Sequence, residues 1–210
     1  MLQPKEIFSI AIQGKSFLST ADEKLAHIIS LIPEPLVEST GDVFFDLMSC
    51  ILEQQIHYRS TKKIFAKMLL RAEVESLTLQ NFPEFELKAL ADAKLSLSKY
   101  ETIVAVLGFF TQNQLQWDTL SEDTIRQHLS SIKGIGKWTI DMILLYTLNR
   151  PDVFPYDDFH LKQVMTRVYS LDPSSKLKAQ MLEIASLWGN HRSLAVKYLL
   201  SWKEQQNKIK

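Results

Sequence analysis

Two glycines separated by one residue, Gly134 and Gly136, constrain the fold of this chain more than any other feature of its sequence. The residues before them, Thr124 to Ile132, can form a helix, and apolar residues recur at helical spacing after them. Two glycines between two helices predict a tight hairpin, because glycine tolerates positive φ and close approach of another backbone. We therefore expect both glycines to need a conformation or an approach that a Cβ atom forbids. The N–H groups at the start of the second helix then form a ready site for a phosphate group.

A second helix start follows this hairpin. Pro155 disfavours helical structure at the residue before it, so the chain is extended there. Asp157 and Asp158 then stand where the N-cap of the next helix, predicted from Phe159 to Tyr169, belongs. One element thus offers backbone donors for a phosphate, and the next offers a carboxylate at a helix start.

The composition excludes several classes of protein. The single cysteine, Cys50, lies among apolar residues and is expected to be a buried small hydrophobe. One cysteine excludes an intrachain disulfide and a four-cysteine iron–sulfur cluster. No apolar run approaches the roughly 20 residues that span a bilayer, and the first residues do not resemble a secretion signal. We expect a cytoplasmic protein with no membrane partner.

The charge is balanced overall but is distributed unevenly. Residues 133–210 hold 12 Lys and Arg against 7 Asp and Glu, whereas residues 1–132 hold 12 against 17. The positive half begins at the hairpin, although this asymmetry could also be chance. A few focused cations and backbone N–H groups can bind phosphates without a basic protein overall.

Helical periodicity and breakers predict an all-α chain with short links and no strand. Residues 1–20 contain a short apolar alternation without a motif, and Val43 to Ile56 is predicted to be a strongly apolar helix. Arg192 to Gln206 is predicted to be the last helix. The predicted helix starts are Asp22, Asp42, a capping box at Ser98–Glu101, Ser121 and the pair Asp172-Pro173, whose helix runs to Trp188.

The hairpin and the aspartate pair together resemble the helix-hairpin-helix DNA glycosylase superfamily, and within it the 3-methyladenine DNA glycosylase II branch. The runs IKGIGKWT from Ile132 and DVFPYDD from Asp152 carry the resemblance. The runs ILEQQIH from Ile51 and WGNHRS from Trp188 agree with it. The hairpin alone is a common DNA-binding motif, but the hairpin followed by this aspartate is much more specific.

The resemblance implies two helical lobes with a base-binding cleft between them. One lobe would comprise residues 43–149 and end in the helix-hairpin-helix motif. The other would join residues 1–42 to residues 150–210 and carry the catalytic aspartate. The expected partner is double-stranded DNA that contains alkylated bases, bound by a monomer.

The implied activity is that of a monofunctional glycosylase, which removes 3-methyladenine-like bases by hydrolysing the N-glycosidic bond in base excision repair. Asp158 matches the catalytic aspartate, which stabilises positive charge on the sugar; without the hairpin it would be interpreted only as a helix cap. Asp157 is then expected to be the structural cap. Trp138 occupies the position where strand-cutting relatives use a Schiff-base lysine, so water is the expected nucleophile.

The resemblance also assigns the remaining contacts. Gln55 matches the residue that fills the gap left by the flipped base, although Gln55 and His57 could equally be ordinary surface residues. The expected base pocket consists of Trp138, Phe159, Tyr156 and Met142, whose aromatic members suit a cationic base. The expected DNA-binding residues are Gly134, Gly136, Lys137, Thr139, Gln55 and His57.

No cofactor is expected to be required, because no histidine has a partner at metal-ligand spacing. The resemblance implies that the hairpin can hold a monovalent cation, Na⁺ or K⁺. The backbone carbonyls of Ser130, Ile132 and Ile135 would be its ligands. Arg192 is expected to be a structural ion-pair partner and not a DNA contact.

Two alternatives remain open at this point. A non-catalytic DNA-binding or scaffold protein could retain the hairpin, but it would have no need of Asp158. A glycosylase for oxidised or mismatched bases is disfavoured by Trp138 and by the lack of a cysteine cluster. The sequence does not rank 3-methyladenine, 7-methylguanine and 1,N6-ethenoadenine as substrates.

Overall fold

The computed structural model of this chain describes residues 4–35, 39–53, 62–91, 93 and 95–208. These residues form helices, turns and links and contain no strand, so the predicted all-α class is confirmed. The α-helices are α1 (Pro4–Ala21), α2 (Glu23–Leu31), α3 (Val43–Leu52), α4 (Lys62–Ala72), α5 (Phe82–Phe85), α6 (Leu97–Gln112), α7 (Glu122–Ser130), α8 (Lys137–Met142), α9 (Phe159–Tyr169), α10 (Leu177–Ser186) and α11 (Arg192–Lys208).

Two of the short helices continue as π-helical turns, and two links contain 3₁₀ turns. In a π turn the hydrogen bond spans one residue more than in an α-helix. The π turns are Glu86–Leu90 after α5 and Ile143–Thr147 after α8, and the 3₁₀ turns are Trp117–Thr119 and Gly189–His191.

Local capping signals set several helix starts where the sequence predicts them. The side chains of Asp22, Asp42 and Ser121 each accept a hydrogen bond from the backbone N–H three residues on. Such a bond satisfies one of the N–H groups that have no partner within the helix. These three predictions are confirmed.

Other predicted boundaries are wrong. Ser96 and not Ser98 caps α6, because Ser96 has the extended backbone and its hydroxyl accepts from the N–H of Lys99. The Asp172 side chain accepts from the N–H of Ser174 and closes a local turn, so α10 starts later than predicted. Residues near the N-terminus, where no motif is visible, form the long helix α1.

The helices divide into two compact units, one of residues 39–148 and one of residues 1–38 and 149–210. The predicted cleft between two lobes stays a prediction. No helix in the described ranges is long and apolar enough to cross a membrane.

The unit of residues 39–148 is built around the apolar helix α3. One acidic residue of this helix, Asp46, is also buried, and its carboxylate accepts hydrogen bonds from the hydroxyls of Thr40 and Thr147, each at 2.7 Å. Cys50 is buried in the same helix, as predicted. Asp46 therefore joins the link before α3 to the last residue of the π turn after α8.

The unit of residues 1–38 and 149–210 contains a buried polar junction at Asp22. One oxygen of this carboxylate caps α2, and the other accepts from the Tyr169 hydroxyl at 2.6 Å and from Trp188 Nε1 at 2.8 Å. Burial, together with this bond to Asp22, raises the pKa of Tyr169. The junction ties α2, α9 and Trp188, in the turn after α10, to a single side chain.

Candidate functional site

The glycine pair forms a hairpin between α7 and α8, as predicted. The chain turns after Ser130, and the N–H of Ile135 donates to the carbonyl of Ile132 at 3.1 Å. The side chains of both isoleucines are buried, so they anchor the turn in the interior of the unit of residues 39–148. Gly136 then serves as the N-cap residue of α8.

The two glycines of the hairpin play different parts in the fold. Gly134 has a φ of +88°, and a Cβ atom added there would lie 2.0 Å from Oγ1 of Thr102 on α6. Gly136 has an extended backbone (φ −93°, ψ 170°), and a Cβ atom there would meet nothing within 4 Å. The fold itself therefore requires glycine at Gly134 but not at Gly136, and the close approach expected at Gly136 stays a prediction. Gly136 borders open space that another molecule could enter.

An ion-pair network joins the two helices of the hairpin. Asp141 on α8 is only 1% exposed, and its carboxylate accepts from Nη1 of Arg126 on α7 at 2.7 Å and from Nζ of Lys137. Arg126 also pairs with Glu122 at 2.7 Å. Burial alone would lower the pKa of the Arg126 guanidinium, but its bonds to Asp141 and Glu122 raise it. Lys137 is thus engaged by its own helix and is not an isolated surface cation.

The other predicted residues around the hairpin differ in exposure. Trp138 is half-buried, whereas Thr139 is 4% exposed and Met142 is 1% exposed. The side chains of Thr139 and Met142 therefore belong to the packed interior, and Thr139 retains only its backbone in the first turn of α8 as a candidate DNA contact. Gln55 and His57 lie outside the described residues.

Asp158 lies at the start of α9 and caps it. Its Oδ1 accepts from the N–H of Leu161 at 2.7 Å, and its own N–H donates to the carbonyl of Pro155 at 2.9 Å. Asp157 is exposed, so the expectation that Asp157 is the structural cap is wrong. The turn that begins at Pro155 fixes Asp158 as the last residue before the helix.

Capping leaves Asp158 with a fixed orientation in a buried setting. The residue is 6% exposed, and its carboxylate lies at the positive end of the α9 dipole. A carboxylate has two oxygens and about four acceptor positions, of which the capping bond uses one. The role as a cap and a role in chemistry are therefore compatible for Asp158.

Ser193, at the start of α11, anchors the loop that leads to Asp158. Its hydroxyl donates to the carbonyl of Arg150 at 2.6 Å and accepts from the N–H of Val153 at 2.8 Å. Its backbone N–H donates to the carbonyl of Pro151 at 3.1 Å. One buried serine thus holds three points of the loop.

Two further contacts fix the same loop. Arg192 forms an ion pair with Asp152, with Nη2 and Oδ2 2.6 Å apart, which confirms its predicted structural role. The ring of Phe154 packs edge-on against Trp188, with ring centroids 5.8 Å apart. The segment from Trp188 to Ser193 therefore positions the loop before Asp158.

The two aromatic residues beside Asp158 already contact cations. Nζ of Lys178 lies 4.0 Å from the ring centroid of Tyr156, which is half-buried. Phe159 is 63% exposed, and Nζ of Lys203 lies 5.9 Å from its ring centroid. Both rings are suited to attract positive charge.

The described residues include no group of three or more His, Cys, Asp or Glu side chains that could hold a metal ion. Sequence reasoning missed Asp141 and Lys203. The spacing of Lys137 and Asp141, four residues apart on a helix, is a signal that could have identified the first. Lys203 lies far from Asp158 along the chain, and no local pattern points to it.

The chain is similar to known proteins over most of its length. Residues 48–190 match the model of the HhH-GPD superfamily, described as base excision DNA repair proteins. DNA-3-methyladenine glycosylase 1 of Schizosaccharomyces pombe is 23% identical over 96% of this chain and 90% of its own length. A putative DNA-3-methyladenine glycosylase of Bacillus subtilis is 28% identical over 75% of this chain, which spans 58% of that relative.

Two solved structures share the fold. The 3-methyladenine DNA glycosylase of S. pombe in complex with abasic DNA superimposes with a TM-score of 0.75 at 22% identity, covering 92% of this chain and 97% of the other. The DNA-3-methyladenine glycosidase of Bacillus halodurans superimposes with a TM-score of 0.73 at 22% identity, covering 92% and 90%.

Replacing the two hairpin glycines should separate their contributions to stability. Gly134→Ala should lower the free energy of unfolding by about 2–4 kcal/mol, since a left-handed backbone with a Cβ is strained and Thr102 occupies the space. Gly136→Ala should lower it by less than about 1 kcal/mol, the range for an N-cap change. Urea denaturation measures both, and equal losses would contradict the assigned difference.

Proposed function

Because the chain belongs to the HhH-GPD superfamily of base excision DNA repair proteins, we propose that it is a monofunctional DNA glycosylase for alkylated bases. Its substrate is double-stranded DNA that carries 3-methyladenine-like lesions, and the reaction is hydrolysis of the N-glycosidic bond. The observation that carries the proposal is the buried, capped carboxylate of Asp158 in a loop anchored by α11. The names of the related proteins support the choice of substrate.

Asp158 stabilises the transition state of this reaction electrostatically. As the bond between C1′ and the base nitrogen breaks, positive charge develops on the sugar. A carboxylate that is already oriented interacts with that charge without reorganising, which is the main source of its catalytic effect. The capping bond from the N–H of Leu161 to Asp158 provides this orientation, together with the bond from Val153 to Ser193 that anchors the preceding loop. Asp158 can also orient the attacking water.

Water is the nucleophile in this proposal. A glycosylase that also cuts the strand needs an amine for a Schiff base, and Trp138 is expected to occupy the position where those relatives have lysine. The neighbouring Lys137 is bound to Asp141. The reaction therefore ends at an abasic site with the strand intact.

The hairpin binds the DNA backbone through main-chain groups. The N–H groups of the first turn of α8 and the dipole of the helix favour a phosphate, and the open space beside Gly136 allows its approach. The abasic DNA in the related S. pombe structure supports DNA as the partner. One chain carries both the hairpin and the carboxylate, so the proposed enzyme acts as a monomer. Its proposed substrate is DNA, so it acts inside the cell, with the chromosome.

The base pocket in this proposal contains Trp138, Phe159 and Tyr156. An alkylated purine is cationic and attracts aromatic faces. Its positive charge already makes it a good leaving group, so a pocket with few polar groups suffices. Nζ of Lys178 lies over one face of the Tyr156 ring.

A monovalent cation, Na⁺ or K⁺, can complement the hairpin. Backbone carbonyls of Ser130, Ile132 and Ile135 are hard oxygen donors, which suit such an ion. Ser130 ends α7, where carbonyls lie beyond the helical ladder, and the carbonyl of Ile132 accepts one N–H and has a second lone pair. When bound, the ion would add positive charge near a phosphate.

Replacing the carboxylate should stop the chemistry and spare DNA binding. Asp158→Asn keeps a good capping residue but removes the negative charge, so base release should fall by about 10²-fold or more. Single-turnover release of methylated bases from duplex DNA measures the rate, and binding to abasic-site DNA should change little.

Asp157→Asn is the matched control, because Asp157 is adjacent but exposed. It should release bases at nearly the rate of the unmodified protein. Near-normal turnover by folded Asp158→Asn would exclude the catalytic assignment.

The proposed use of water as the nucleophile should be visible in the products. Incubation with methylated duplex DNA should give strand breaks only after alkali treatment, since hydrolysis leaves the backbone intact. Borohydride reduction should trap no covalent protein–DNA adduct, and a trapped adduct would contradict the monofunctional assignment.

Hairpin variants should show that main-chain contacts matter more than the neighbouring charge. Gly136→Ala places a Cβ in the space where a phosphate would approach, whereas Lys137→Ala removes one cation already paired with Asp141. We expect Gly136→Ala to weaken binding to abasic-site DNA more than Lys137→Ala does at moderate salt. Thermal melting of both variants tests whether the fold is retained, and unchanged affinity of Gly136→Ala would count against the DNA-binding hairpin.

A further inference from the structure

A lysine of α11 lies beside the start of α9, where Asp158 is located. Nζ of Lys203 lies 2.6 Å from Nδ1 of His160 and 2.6 Å from Oε1 of Gln163, both on α9. The imidazole nitrogen accepts from the ammonium group when the proton of the neutral ring is on Nε2. Two side chains of α9 thus orient the ammonium group of a lysine on α11.

Lys203 retains capacity for a ligand. An ammonium group has three N–H donors, and in the part of the chain that the structure describes Lys203 makes these two hydrogen bonds. The pKa of Lys203 is lowered, because burial lowers it by more than the charge of Asp158 raises it. Nζ of Lys203 contacts Phe159 and His160, the two residues that follow Asp158, so the cation lies at the same end of α9 as the carboxylate.

An exposed aromatic ring marks the surface next to this cation. Phe159 follows Asp158 directly, is 63% exposed, and has its ring centroid 5.9 Å from Nζ of Lys203. The half-buried lysine thus lies at the boundary between the buried carboxylate and the outer surface. A ligand that approaches Asp158 along α9 from this side meets Lys203 and Phe159 together.

The proposed reaction creates a need for positive charge at this place. The following step rests on the proposed function: the sugar that faces Asp158 belongs to a strand with one negative phosphate per nucleotide. A buried carboxylate is weakly screened, so its repulsion with an incoming phosphate is stronger than at an exposed surface. A cation held beside the carboxylate offsets that repulsion.

We propose that Lys203 is a DNA-phosphate-binding residue, whose ammonium group, oriented by His160 and Gln163, binds a phosphate that flanks the nucleotide under repair. This contact belongs to the unit that carries Asp158 and is separate from the contact made by the hairpin. Through this contact the unit of residues 1–38 and 149–210 binds the DNA strand independently of the hairpin.

The competing explanation is that Lys203 only ties α11 to α9. A structural lysine and a phosphate-binding lysine differ in how their removal alters the salt dependence of DNA affinity. Each phosphate contact by a cation contributes about one unit to the slope of log K against log salt concentration. A purely structural contact contributes nothing to that slope.

The test compares Lys203→Met, Lys203→Arg and Lys197→Met in the full chain. Lys197 is the matched control, since it is on the same helix and its Nζ donates to Oδ1 of Asn149. The probe is a duplex that contains a tetrahydrofuran abasic-site analogue, and its dissociation constant is measured from about 50 to 200 mM KCl. Thermal melting of each variant accompanies the titrations.

We expect Lys203→Met to reduce the magnitude of the salt slope by about one unit and to weaken binding about three- to tenfold at the lowest salt. Lys203→Arg should retain the slope, and Lys197→Met should leave both slope and affinity unchanged. An unaltered slope in folded Lys203→Met, or an equal loss of slope in Lys197→Met, would overturn the proposal. So would loss of affinity in Lys203→Met and Lys203→Arg alike.

This test also separates the inference from the function on which it rests. If the unmodified protein neither binds the abasic duplex nor releases methylated bases, the glycosylase function and the phosphate contact both fail. If the unmodified protein does both and only the Lys203→Met slope is unaltered, the phosphate contact alone fails.

Discussion

The position of Asp158 depends on the hydroxyl of Ser193. This buried group bridges the carbonyl of Arg150 and the N–H of Val153, so the loop before Asp158 begins from a fixed point on α11. The turn at Pro155 then carries the chain to the helix start within a few residues. A catalytic carboxylate needs such external support, because capping fixes its direction only relative to its own helix.

The hairpin has a comparable support in the other unit. Thr102 packs against Gly134 so closely that no side chain fits between them, and Asp141 joins α7 to α8 through Arg126. These contacts hold the turn from behind, whereas the side that bears Gly136 borders open space. The hairpin is closely packed where it meets its own core and accessible where a strand would approach.

The sequence predicts what is determined locally and misses what is determined by packing. The N-caps Asp42 and Ser121 follow from nearby residues, because a cap bond spans three positions. The adjacent pair Asp157 and Asp158 fits either assignment, and only the turn from Pro155 decides between them. The contact of Lys203 with α9 joins two helices that are far apart along the chain, so no local pattern reveals it.

The π turn Ile143–Thr147 has a consequence for how α8 is oriented. Each residue of an α-helix rotates the chain by about 100°, and a π turn accommodates one extra residue without lengthening the helix by a full step. Thr147, which donates to Asp46, therefore points in a different direction relative to Trp138 than it would in a regular α-helix. The π turn thus sets the rotation between Thr147, which is anchored at Asp46, and the end of α8 that bears Trp138.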